Sequence, residues 1–272
     1  MRTSHNHLAA FTLTEVLVTL TLFGFVMAGV LPFFISNLRY QFTAEQKLLI
    51  NQDIRRVTNE LVENAREANN FVIYQSFYNQ TRSNGTSVSR DGNASGSVTW
   101  ADRMMNGQSG DMLVFVYYRD QYYDSRFYDG VAGNSPDLTQ GQVTRLVIYW
   151  TAPNRAINGS TALYMIDTDR YKTSPTSTTW TTGWGATLPA TLSTTGASGT
   201  TTIEALLPPA NSTWAQNSAA RIVLNDLRGL STDGAYFQNF QNRSVIVRTK
   251  ILHGNRAKRV TNTYNFTITP RG

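Results

Sequence analysis

The 272-residue chain predicts an α+β fold, one long N-terminal α-helix packed on an antiparallel β-sheet head. Two patterns carry the helix. Residues 8–35 read LAAFTLTEVLVTLTLFGFVMAGVLPFFI, an apolar stretch interrupted by one carboxylate, Glu15. Between residues 38 and 68, apolar side chains then recur every three or four positions, as in an amphipathic helix. A third pattern carries the sheet: beyond residue 70 the chain turns to short apolar or alternating runs separated by polar loops. Helix first and strands afterwards is the segregated order of an α+β fold.

Within the helix, residues 11–35 are long and apolar enough to cross a bilayer, which takes about 20 such residues. Residues 36–70 continue it toward the head. Their stripe is Leu38, Phe42, Leu49, Ile50, Ile54, Val57, Leu61, Val62, Ala65 and Ala68, with charged and amide residues on the other face. Asn69-Asn70 is the expected stop, because asparagine tolerates the left-handed cap conformation. A helix over residues 12–69 would be roughly 85–90 Å long at 1.5 Å per residue. Pro32 removes one helical hydrogen bond and is expected to kink or locally melt the helix. Gly24 is a second weak point, costing about 1 kcal/mol relative to alanine. Both fit a compliant segment; both residues are also common in membrane helices.

Expected strands cover residues 71–78, 112–118, 143–150, 163–167, 221–225, 245–252 and 261–269. Val245, Val247, Thr249 and Ile251 alternate with Ile246, Arg248 and Lys250, which suits a sheet with one covered face. The last two strands read as a long-looped hairpin joined by residues 253–259. Insertions are expected near residues 79–97 and 173–202, both rich in Ser, Thr, Gly or Asn. The second is too poor in apolar surface to order itself, yet its Trp180 and Trp184 suggest docking on the head or on a partner.

Chemistry is sparse. There is no cysteine, so neither a disulfide nor a Cys nucleophile is available. The three histidines are His5, His7 and His253, which leaves no zinc site of the usual His/Cys type. No G-x-S-x-G sequence accompanies His253. Asp167-Thr168-Asp169 and the run 120–124 could offer calcium oxygens, but neither has EF-hand spacing, and solvated turn acids are the simpler reading. The tyrosine-rich run 117–128 admits strand packing, a protein interface or base stacking. Lys250, Arg256, Lys258 and Arg259 form a better phosphate candidate, or merely a solvated hairpin tip. Asn-x-Ser/Thr triplets at Asn84 and Asn158 read as turns. Net charge is +6, or +5 without Arg2, a mild excess that favours acidic surfaces without naming one. No catalytic, cofactor or metal site is assigned.

The N-terminal pattern is more specific. Ala10-Phe11-Thr12-Leu13-Thr14-Glu15-Val16 follows a short leader and opens the apolar run. It resembles the class III signal of type IV prepilins and type II secretion pseudopilins. The resemblance implies cleavage after Ala10 by prepilin peptidase, N-methylation of Phe11, and assembly through Glu15 with the new amine of a neighbouring subunit. Gly24 and Pro32 fall where pilin helices carry glycine and a helix-breaking proline. Ala10 departs from the commoner glycine, and Thr14 from a frequent aliphatic residue.

An ionisable residue inside a membrane segment costs roughly 2.5–3.5 kcal/mol on insertion scales, which is the physical reason Glu15 needs a partner. A secretory signal would instead place its small-residue cleavage site after the apolar core, and a plain anchor leaves Glu15 unexplained.

The layout that follows is a leader (1–10), a membrane or filament-core helix (11–35), an amphipathic continuation (36–70) and a β-rich head (71–272). The expected role is a non-enzymatic minor subunit of a type IV pilus or secretion pseudopilus. Its size and helix texture are similar to J-type pseudopilins and W-type minor pilins. Its partners would be prepilin peptidase, other pilin-like subunits, the inner-membrane assembly platform and, before assembly, the lipid bilayer. Alternatives are a ligand- or DNA-binding pilin-like subunit and a membrane-tethered enzyme.

Overall fold

The computed structural model describes residues 12–81, 85, 87–90, 103–119, 142–192, 202–225, 227–229, 235–255 and 258–270. In chain order the elements are α1 (Leu13–Glu67), β1 (Asn70–Tyr74), β2 (Gln80–Thr81), β3 (Ser87–Val88), β4 (Ser109–Gly110), β5 (Met112–Arg119), β6 (Gln142–Pro153) and β7 (Thr161–Asp167). They continue with β8 (Trp180–Thr181), β9 (Thr187–Leu188), β10 (Ala190–Thr191), α2 (Ile203–Leu206), α3 (Ser212–Ala215), β11 (Arg221–Leu224), β12 (Leu227–Gly229), β13 (Phe237–Phe240), β14 (Ser244–Asn255) and β15 (Lys258–Ile268). The chain divides into two units, Met1–Leu48 and Leu49–Gly272.

In the first unit the described chain is helix. α1 is unbroken at both Gly24 and Pro32, so the local melting expected at the proline is absent. A proline removes one N–H from the ladder, and the bonds of the flanking turns suffice to carry a helix past it. The predicted stripe also starts too early, because Leu38 is exposed and continuous burial begins only at Ile50.

In the second unit, Ile50, Val57, Leu61 and Ala65 of α1 are buried, at the spacing the amphipathic pattern requires. Full burial of a Val, Leu or Ile side chain contributes about 1.5–3 kcal/mol, so this stripe holds the helix to the sheet. Polar contacts fix its register. The Asn64 amide donates to the Tyr149 hydroxyl at 2.7 Å, and the Tyr117 hydroxyl donates to the Asn64 carbonyl at 2.9 Å. Arg56 donates to the Val223 carbonyl at 2.8 Å, and the Thr58 and Tyr264 hydroxyls are bonded to each other. Asn69 does not cap the helix in isolation; it starts the sheet. Its N–H donates to the Val116 carbonyl at 3.0 Å, and its side-chain oxygen accepts from the Tyr118 N–H at 2.7 Å.

The first sheet has the order β1-β5-β6-β7-β11, with β10 also paired to β6, and every pairing is antiparallel. Its strands are covered on both faces, contrary to the one-faced sheet expected. Phe71, Ile73, Leu113, Phe115, Val147 and Tyr149 join the helix and the second sheet in one core. Val72, Tyr74, Val114, Ile148 and Trp150 join the residues after β7 in another. Residues Met112–Val116 are all fully buried, so β5 reads as a continuous apolar run. In the second sheet β14 pairs with β12, β13 and β15, and here the predicted alternation holds: Val245, Val247, Thr249 and Ile251 are buried while Ile246, Arg248 and Lys250 are half-buried.

One further expectation changes. The closing hairpin has no long loop, since the β14–β15 ladder runs out to Asn255↔Lys258. Backbone pairing alone sustains a ladder through polar sequence, so alternation understates strand length. Residues 173–192 of the second tract are ordered by surface they borrow, the docking on the head that Trp180 and Trp184 suggested, and residues 193–201 lie outside the described residues. β10 pairs with the part of β6 that β7 does not reach, and Trp180 and Leu188 enter the core beside β6. Trp184 donates its indole N–H to the Leu206 carbonyl at 3.0 Å and meets Tyr171 and Trp214 edge-on. Of the other insertion, the described part includes the β2–β3 pair, and the rest lies outside the described residues.

Gly110 in β4 passes against the main chain of β1. A Cβ there would stand 2.0 Å from the Tyr74 carbonyl oxygen. Backbone cannot yield as a side chain can, so Gly110→Ala is expected to destabilise the head by about 1–3 kcal/mol or more. Urea unfolding followed by tryptophan fluorescence would show it as a lowered midpoint; an unchanged midpoint would contradict the close approach.

Candidate functional site

The N-terminal end of α1 has the geometry of a helix start built around Glu15. Thr12 precedes the first helical residue, and its N–H and hydroxyl both donate to Glu15 Oε2 at 3.2 Å. In return the Glu15 N–H donates to Thr12 Oγ1 at 3.4 Å. These reciprocal bonds are a capping box, and they satisfy two N–H groups that the helix end would otherwise leave open. The carboxylate also lies at the positive end of the helix dipole. The sequence signal for this is the T-x-x-E spacing at residues 12–15.

Beyond the cap, the apolar side chains from Leu13 to Leu38 face outward all around the helix, with Leu13 at 79 % and Phe25 at 80 % exposure. The helix is long and apolar enough to cross a membrane, and its most apolar window has no buried residue. Its threonines are adapted to such surroundings. Thr19 donates to the Glu15 carbonyl at 2.8 Å and Thr21 to the Leu17 carbonyl at 2.9 Å, so neither hydroxyl needs water. Thr14, a departure from the resembled signal, shares a hydroxyl–hydroxyl bond of 3.1 Å with Thr12. Glu15 is the lone charge of residues 13–38.

Beyond its neighbours and its own helical turns, a Cβ at Gly24 or Gly29 would meet no atom of the described residues within 4 Å. Gly24 and Pro32 both lie within the exposed helix. Ala10 and Phe11 lie outside the described residues.

In the head, the acids of one candidate segment are engaged by neighbouring cations, while Arg256 and the side chains of Lys258 and Arg259 lie outside the described residues. Asp167 takes a bidentate pair from Arg145 at 3.1 and 2.8 Å, and Asp169 meets Lys172 at 2.8 Å, so both acids are ion-paired rather than simply solvated. Among the described residues no group of three or more His, Cys, Asp or Glu could hold a metal ion. His253 sits within β14 rather than in a loop. Tyr117 is buried against Asn64 and Tyr118 packs partly into the core, while residues 120–128 lie outside the described residues. The Asn158-Gly159 triplet forms the turn between β6 and β7, with Gly159 at φ 75°.

One polar cluster was not foreseen. Glu204 of α2 accepts from Arg103 Nε at 2.7 Å and from the Tyr74 hydroxyl at 2.8 Å, and all three side chains are buried. Burial pushes the Glu204 carboxyl up, but the charge and hydrogen bonds of Arg103, with Tyr74, outweigh it and hold the group below the usual carboxylate value. Burial and the Glu204 charge push the Tyr74 hydroxyl well above its ordinary range, so it stays a donor.

A family model described as the prokaryotic N-terminal methylation motif matches residues 6–31. No curated protein and no solved structure matches the chain. The matched span contains Ala10, Phe11, Glu15 and Gly24, so the N-terminus carries a type IV prepilin-like signal, and the long apolar helix is consistent with membrane anchoring.

Proposed function

We propose that the chain is a minor structural subunit of a type IV pilus or type II secretion pseudopilus, processed between Ala10 and Phe11 and assembled through α1. The observation that carries this reading lies in the first unit: an exposed apolar helix, overlapping the methylation motif, whose residues 13–38 hold a lone charge in the first turn. Before assembly lipid covers that helix; in a filament, neighbouring helices replace lipid, and packing rather than a new hydrophobic term favours the exchange. The pairing of Glu15 with the methylated amine of a neighbour's Phe11 then supplies register, because a charge left alone in that environment is costly. The capping box keeps Glu15 engaged until that amine arrives.

Gly24 and Pro32 give the segment compliance in this scheme. The open space around Gly24 leaves room for a neighbouring helix to approach closely. The β-rich head remains on the periplasmic or outer side of the inner membrane. Ala10→Leu is expected to block cleavage, leaving the chain about ten residues longer on a gel when expressed with its peptidase. A variant that still reaches the mature mass would rule out the proposed site.

A further inference from the structure

The positive charge of this chain is not scattered. Residues 234–272 contain seven of the 24 basic residues and none of the 18 acidic ones, so the remaining sequence has 17 basic against 18 acidic residues. Most of this stretch forms β13, β14 and β15 of one sheet, and Arg243, Arg248 and Lys250 are its basic side chains among the described ones. Arg248 and Lys250 stand two residues apart on the face of β14 opposite Val247, Thr249 and Ile251, which are buried in the core. Arg228 of β12 is directly opposite Lys250 in the register. On the other side of β14, the cross-strand partners of Arg248 and Lys250 are Asn265 and Thr263, which are neutral. Exposed Arg243 lies in the β13–β14 turn, and Phe240 ends β13 at 45 % exposure, paired with Ser244 on the same face as Arg248. Among the described residues neither Arg248 nor Lys250 has an acidic partner.

We infer that this sheet face binds single-stranded nucleic acid, with Arg248 and Lys250 on phosphates and Phe240 stacking on a base. Charge complementarity points to a polyanion. The exposed side chains Thr263 and Asn265 suit phosphate and sugar oxygens, and an exposed ring beside a basic row is what distinguishes a base-bearing polymer from a plain anionic one. This activity is separate from assembly, and its test does not require a filament.

The test is fluorescence anisotropy of a labelled oligothymidylate of about 30 nucleotides, titrated with the full chain in non-ionic detergent across a salt series. Binding is expected to fall steeply with salt. Arg248→Gln with Lys250→Gln should weaken it at least tenfold near 50 mM salt and flatten the log–log slope by about 1.4, the loss of two phosphate contacts. Phe240→Ala should weaken binding severalfold and leave that slope unchanged. Lys47→Gln with Arg55→Gln, an equal charge change on α1, should leave affinity as it was; circular dichroism confirms that each variant is folded. Absence of binding by the unaltered chain, an equal loss in the α1 control, indifference to the β14 pair or to Phe240, or equal competition by polyglutamate at matched charge would each overturn the inference.

Discussion

Glu15→Gln is expected to insert into the membrane normally and yet enter filaments ten- to a hundredfold less than the unaltered chain. A hydrogen bond to a charged group contributes about 1.5–3 kcal/mol, and each 1.4 kcal/mol is a factor of ten in an equilibrium. Glutamine is the informative substitution, because it can still close a capping box with Thr12 and so preserves the helix start while removing the charge. Thr12→Ala does the reverse. It removes the hydroxyl that accepts from the Glu15 N–H, at a cost of about 0.5–2 kcal/mol to the helix end, but keeps the carboxylate. Intersubunit pairing predicts that Glu15→Gln fails in a filament-shear assay while Thr12→Ala retains most incorporation. If glutamine assembles normally and Thr12→Ala does not, Glu15 serves only to start the helix.

The second large effect lies in the head. Glu204→Ala should lower the unfolding free energy by about 3–5 kcal/mol, because it leaves Arg103 charged in a buried site and removes the acceptor of the Tyr74 hydroxyl. Arg103→Leu combined with Glu204→Leu should recover more than half of that loss, since an apolar pair strands no charge. The pH dependence has a definite sign. The Glu204 carboxyl sits below its ordinary value in the folded chain, so its contribution is fully present above the unfolded value, about 4.3, and fades as pH falls through the folded one. Urea midpoints from pH 7 downward would show the gap between unaltered chain and variant closing only in that acid range. A gap that is constant with pH would mean that the ionised pair is not its source.

The helix and the sheet could be read from local pattern because both depend on neighbours in sequence. Ile50, Val57 and Leu61 show their buried face by spacing alone, and Val245, Val247 and Ile251 do so by alternation. The two-faced burial of the first sheet was also written in Met112–Val116, whose continuous apolar run is the mark of such a strand. The order within tract 173–202 was less visible. Its Ser- and Thr-rich sequence suggests a loop, and the apolar surface that organises it belongs to β6. Least visible was the Arg103–Glu204 pair, whose members are 101 residues apart with no local sign that either is buried. At the N-terminus, Glu15 stands out because a charge interrupts an apolar run, and the T-x-x-E spacing of residues 12–15 marks its bonds to Thr12.

The measurement that bears most directly on assembly is the intact mass of the native polypeptide, recovered from membranes and from sheared filaments and sequenced at its N-terminus. Residues 1–10 should be absent, and the chain should begin at an N-methylated Phe11. A polypeptide recovered from both fractions that still begins at Met1, with an unmodified amine, would contradict the account.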